Sequence, residues 1–190
     1  MRTPLIEHET SVYSLRNFWI DDRARCPMED VAMSTAKVPR LTGLKKVAGK
    51  PVELLVNGQD LGDDAMLIVR LTEEGFELSD VVNMLSTSEM YLREDMVKRI
   101  TGRSVRTVQR LLKEGKSIRL DSQQSVVAYQ YALVLEMATR AFGGLSQAEI
   151  WMQKSIPYLN GYVPLELTHH PLGFQMVEQY LCRVLYGGYP

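Results

Sequence analysis

The sequence has little of what most enzymes and metalloproteins need. Its two cysteines, Cys26 and Cys182, stand far apart and match no metal or redox spacing. The simplest reading is two reduced thiols in a cytoplasmic protein, with Cys182 set in an apolar helical pattern. There are three histidines. His169 and His170 are adjacent, so a helix or strand would point them in different directions, and no carboxylate spacing completes a metal site with them or with His8. No glycine-rich phosphate loop follows a strand, and no serine sits in a recognisable nucleophile context. Catalysis, a cofactor and a metal are therefore not expected. No apolar run approaches the roughly 20 residues that span a bilayer. "MRTPLIEHETSVYSLRNFW" does not have the layout of a signal peptide, because charges interrupt it. Internal repeats and low-complexity tracts are missing as well.

Net charge is close to zero, and this hides a strong asymmetry. Nine basic residues fall between Leu92 and Arg119: Arg93, Lys98, Arg99, Arg103, Arg106, Arg110, Lys113, Lys116 and Arg119. Only Glu94, Asp95 and Glu114 oppose them there. The segments on either side carry more acids than bases. A local basic face attracts a polyanion even when the whole chain does not.

The pattern along the chain predicts an all-α fold with three parts. Residues 1–60 read as an N-terminal extension, partly irregular, with "PVELLVNG" as one short strand ending in an Asn57-Gly58 turn. Residues 61–120 read as short helices: "DDAMLIVRLTEEG", closed by Gly75; "LSDVVNML", followed by the polar break "STSE"; "YLREDMVKRI"; and "VRTVQRLLKEG", with Ser104 as N-cap and Gly115 as stop. Residues 121–190 start with a long helix capped by Asp121 and stopped at Gly143-Gly144. Ser146 and Glu149 have capping-box spacing. The last helix is predicted from near Pro171 to Leu185, with His170 or Thr168 near its N-cap and Phe174, Val177, Leu181 and Val184 on one face.

At about 100° per residue, Val105, Val108, Leu111 and Leu112 gather on one side of their helix. Arg106, Arg110 and Lys113 gather on the other, with Thr107 on their flank. Two short helices joined through Gly102, the second one basic, have the layout of a helix-turn-helix, whose second helix enters the major groove. Arg106 and Arg110 are the candidates for bidentate bonds to guanine, and Thr107 for a base contact. Lys98, Arg99, Arg103 and Lys116 suit phosphates. Ser104 and Gln109 complete the candidate DNA-binding set. One monomer makes few contacts, so specific binding calls for a dimer or a larger assembly. The plainer reading is a solvated amphipathic helix.

The last third keeps few charges and many large apolar groups, among them Trp151, Met152, Tyr158, Leu159, Tyr162, Leu165, Leu167 and Phe174. Most of these belong in a small core. What remains outside is the kind of apolar patch that marks a protein interface.

The order of residues here resembles the toxin-binding domain of the Xre/MbcA/ParS antitoxins. The matching positions are Phe142-Gly143, Trp151, Leu159, Gly161, Pro164, Glu166, Leu167, Gly173 and Gly187. "GRSVRTVQRLLKEGKSIRLDSQQS" is similar to the Xre-like part of those antitoxins, so the resemblance covers roughly residues 65–190. Met152 stands where the family usually has leucine, "SIPYLNGYVP" replaces a loop often rich in Asn-Pro, and residues 1–60 match nothing in the family. The resemblance implies an antitoxin that neutralises a RES-domain toxin, a toxin that degrades NAD or transfers its ADP-ribose. It also implies autoregulation through operator DNA. By the same analogy Trp151, Tyr158, Leu159, Tyr162, Tyr186, Gly187, Gly188, Tyr189 and Pro190 are the toxin-binding candidates, the last five as a segment that blocks the toxin's pocket. The alternative is a helix-turn-helix transcriptional regulator whose C-terminal domain only oligomerises or binds another partner.

Overall fold

The computed structural model describes residues 40–42, 49–59, 64–115 and 117–187. Expectations for residues 1–39, including His8 and Cys26, for Lys116 and for Gly188, Tyr189 and Pro190 lie outside the described residues. The described part is all-α. Its helices are α1 (Pro51–Leu55), α2 (Ala65–Glu74), α3 (Leu78–Leu85), α4 (Glu94–Thr101), α5 (Val105–Glu114), α6 (Ser122–Ala141), α7 (Leu145–Met152), α8 (Pro164–Leu167) and α9 (Pro171–Tyr186), with a 3-10 turn at Pro157–Leu159. Extended pairing among these residues is limited to two isolated bridges, Arg40 with Arg93 and Glu77 with Arg119.

The helix ends follow from local chemistry. Asp64 Oδ1 accepts from the Met66 and Leu67 amides, Ser104 Oγ from the Thr107 amide, and Asp121 Oδ1 from the Gln124 amide. His170 caps α9, its Nδ1 accepting from the Leu172 amide at 3.2 Å. Each bond satisfies a donor that the helix leaves open at its first turn. Gly102 ends α4 at φ 66°, a left-handed conformation that glycine adopts without strain, and turns the chain directly into α5.

Two local expectations fail. "PVELL" is helix α1 rather than a strand: Pro51 starts it, and Leu55 and Val56 are buried on one side. Its apolar run is too short for periodicity to separate helix from strand. The turn after it does occur, with Asn57 and Gly58 both at positive φ. The capping box at Ser146 also fails. Helix α7 begins two residues earlier than that cap would place it, with extended Gly144 as its N-cap, which puts Ser146 inside the first turn. Glu149 reaches across the fold instead, to the Ser88 hydroxyl.

Helix α6 organises the rest. Its 20 residues span about 30 Å. It packs against α1, α2, α4, α7 and α9. Ala128, Tyr131, Ala132, Val134, Leu135 and Ala138 line its buried sides. The core is continuous from Leu41, Leu55 and Val56, through Val81, Leu85, Met96 and Ile100, to Met152, Leu159, Val177 and Leu181. The stretch expected as an extension thus contributes three core residues. The "STSE" break is a turn, but a buried one: Ser86, Thr87 and Ser88 bond to the Asn83 carbonyl, the Met84 carbonyl and Glu149 respectively. Polar groups are tolerated at that depth because each has a partner.

Candidate functional site

Two surfaces emerge from this frame. The first is the outer side of α5. Val105, Val108 and Leu111 are buried and Leu112 packs beside them, as the helical wheel requires. Arg106, Arg110 and Lys113 are exposed on the opposite side, and Lys98 is exposed on α4. Arg103, Ser104, Thr107 and Gln109 are half-buried. The Ser104 and Thr107 hydroxyls lie 3.0 Å apart, so both are already engaged at the start of the helix. Arg110 pairs with Glu114 at 3.3 Å, an exposed i,i+4 contact that holds the side chain only weakly. Arg103 Nε is buried without a protein partner.

Arg99 behaves differently from its neighbours. Its guanidinium points into the fold, and Nη1 donates to the Leu165 carbonyl at 3.3 Å. Sequence charge alone grouped it with Lys98. No local signal distinguishes the two, because the acceptor lies 66 residues away.

The second surface covers α7 to α9. Trp151 is nearly buried rather than displayed. It stacks on Tyr180 with ring centroids 5.5 Å apart and meets Phe142 at 5.1 Å. Tyr158 packs on Tyr180 at 5.4 Å, and the Arg183 guanidinium lies 5.1 Å from the Tyr158 ring centre, a cation–π contact. Leu159 is completely buried. Of the interface candidates, Trp151 and Leu159 are therefore buried rather than displayed, because a four-helix module of this size must place its largest apolar groups in its own core. Tyr162 and Tyr186 are strongly exposed, 58% and 79%. Gly187, also exposed, ends α9 in the left-handed region. Ile150, Leu172 and Met176 are exposed too, and the sequence reading missed them. The half-buried Tyr180 and the exposed Arg183, which meet Tyr158, were missed as well.

Buried polar contacts tie the turn before α4 and helix α6 to α8. Tyr91 Oη donates to the Tyr131 carbonyl at 2.9 Å, and Tyr131 Oη donates to the Leu165 carbonyl at 2.8 Å. The rings meet edge to face at 5.7 Å. Burial pushes the Tyr91 hydroxyl well above the ordinary phenol range, with smaller contributions from Tyr131 and Glu149. Burial also raises Tyr131, while the Arg99 guanidinium pulls it partly back. The glycine at 173 has a steric reason: a Cβ there would sit 2.3 Å from the Leu167 carbonyl oxygen, so α8 and α9 approach closely only because that side chain is missing.

Among the described residues no group of three or more His, Cys, Asp or Glu side chains is placed to hold a metal, and no helix is long and apolar enough to cross a membrane. No curated protein matches the chain at a significant level. Residues 137–187, from the last turn of α6 to the end of α9, match the family model of the antitoxin Xre/MbcA/ParS C-terminal toxin-binding domain. That match is to the toxin-binding domain alone and covers 51 of the chain's 190 residues.

Proposed function

We propose that this chain is the antitoxin of a two-gene toxin–antitoxin pair. Its C-terminal module binds and neutralises a cytoplasmic RES-domain toxin that consumes NAD. The observation that carries this reading is the match to the toxin-binding domain at residues 137–187, a stretch that also exposes Ile150, Tyr162, Leu172, Met176 and Tyr186. Exposed apolar and aromatic side chains are what the core of a protein interface is made of. Residues 186–190 then occupy the toxin's pocket.

The same chain binds its own operator through a helix-turn-helix made of α4 and α5, as a homodimer or a larger assembly with the toxin. The exposed row Arg106, Arg110 and Lys113 opposite a buried apolar face supports this reading. The two activities then fall to two parts of one continuous core, one within 61–120 and one within 121–190, with α6 of the second packed against α2 and α4 of the first. The chain acts by occupancy and not by catalysis.

Co-expression with the product of the adjacent reading frame tests the antitoxin role. The expected result is a stable complex and suppressed toxicity. No complex and no rescue would favour a transcriptional regulator whose C-terminal module serves only to oligomerise.

A further inference from the structure

Arg99 lies in the basic run, next to an exposed lysine, on the helix that precedes the proposed DNA-reading helix α5. Its charge nevertheless faces the toxin-binding module. Leu165 belongs to α8, a four-residue helix too short to hold itself. Its Pro164 and Leu167 carbonyls accept the Thr168 and His170 amides of the turn that follows. The Leu165 carbonyl is instead met by two side-chain donors from two other helices, Arg99 Nη1 of α4 at 3.3 Å and Tyr131 Oη of α6 at 2.8 Å. A carbonyl oxygen has two lone pairs, and these two donors use both. Arg99 is outside residues 137–187 and Leu165 is inside them.

We infer that Arg99 is a positioning residue of the toxin-binding module and not a phosphate contact, and that the Arg99–Leu165–Tyr131 junction ties α8 to the helix beneath the DNA-facing surface. The buried phenol beside the guanidinium fits this arrangement, since a cation there stays put only with an acceptor close by. Any shift of α8 on toxin binding is then passed to α4 through one carbonyl. The coupling half of the inference rests on the function proposed above; the positioning half does not.

The test uses the full chain as wild type, Arg99→Met, Arg99→Lys and Lys98→Met. Amide exchange of the free protein is read at Glu166, Leu167 and Thr168, whose amides close α8 onto the Val163 and Pro164 carbonyls. Arg99→Met is expected to speed exchange there about tenfold, and Arg99→Lys, which keeps one donor, to recover most of it. Binding to a duplex from the chain's own upstream region is measured against salt. Lys98→Met should lower the slope by about one, whereas Arg99→Met should leave it unchanged. Affinity for the adjacent-frame toxin should fall about tenfold in Arg99→Met and recover in Arg99→Lys. Unchanged exchange at α8, or a slope that drops by about one in Arg99→Met, overturns the inference. A wild type that binds neither the duplex nor the toxin would defeat the proposed function, while the exchange result would still decide the positioning role.

Discussion

Gly173→Ala is a substitution on which helix propensity and packing disagree in sign. Residue 173 lies in the first turn of α9, a 16-residue helix. By propensity, alanine is better there by about 0.8–1 kcal/mol. The structure opposes it. The new Cβ would fall 2.3 Å from the Leu167 carbonyl oxygen, 3.0 Å from its carbonyl carbon and 3.1 Å from the Leu167 Cβ. Two of these are backbone atoms and cannot rotate away, so α8 and α9 must separate by about 1 Å. Overpacking of this kind costs roughly 1–3 kcal/mol, and more where the backbone itself has to move. Thr168 sits in the same turn and is fully buried, its hydroxyl bonded to the Pro164 carbonyl at 2.8 Å, so the separation also strains a buried polar contact. The net expectation is a loss of about 2 kcal/mol, or a fall in Tm of about 4–8 °C for a chain of this size. Thermal unfolding with parallel urea titration measures it. Gly144→Ala serves as the control. Gly144 has an extended φ of 166° and nothing within 4 Å of an added Cβ, so about 0.5 kcal/mol or less is expected. If Gly173→Ala matches or exceeds wild-type stability, the close approach of α8 to α9 is wrong, and the steric reason for that glycine goes with it.

Four further predictions follow from the same geometry. Arg106→Ala combined with Arg110→Ala should abolish specific operator binding in a gel-shift assay and leave toxin binding intact; normal operator binding would remove α5 from the recognition role. Trp151→Ala should cost about 3–5 kcal/mol in a denaturant titration, since the indole is stacked and nearly buried, and a stable variant that lost only toxin affinity would show it to be a surface contact. Truncation after Leu185 should weaken toxin neutralisation in a co-expression assay and spare operator binding, whereas full neutralisation would dismiss the blocking segment. The fourth concerns pH. Burial holds the Tyr91 and Tyr131 hydroxyls neutral above their ordinary range, so in alkali the unfolded chain gives up protons that the folded chain keeps. Their stabilising contribution is complete below about pH 10, the ordinary tyrosine value, and is lost as pH rises toward the elevated folded values. The urea midpoint of wild type should therefore fall more steeply above pH 10 than that of Tyr91→Phe; parallel curves would refute the buried ionisable phenol.

Much of this protein was determined by short-range patterns. The all-α class, the caps at Ser104, Asp121 and His170, the stop at Gly115 and the two-faced character of α5 depend on residues within about four positions of each other, and helical periodicity records them directly. The ordered glycine, proline and aromatic positions of the C-terminal third pointed to the toxin-binding domain for a related reason, since each marks a turn or a close approach that the fold cannot make otherwise. Tertiary structure alone decided which like residues take different roles. Lys98 and Arg99 are neighbours in one basic run, yet the lysine faces solvent and the arginine serves a carbonyl 66 residues away. Leu159 and Tyr162 are three positions apart in one apolar stretch, yet the leucine is core and the tyrosine is surface. Glu149 has the spacing of a cap and is bonded instead to Ser88. In each case the partner is distant along the chain, and packing around α6 brings it within reach. Burial and hydrogen bonding are settled by neighbours in space, and local sequence carries no record of them.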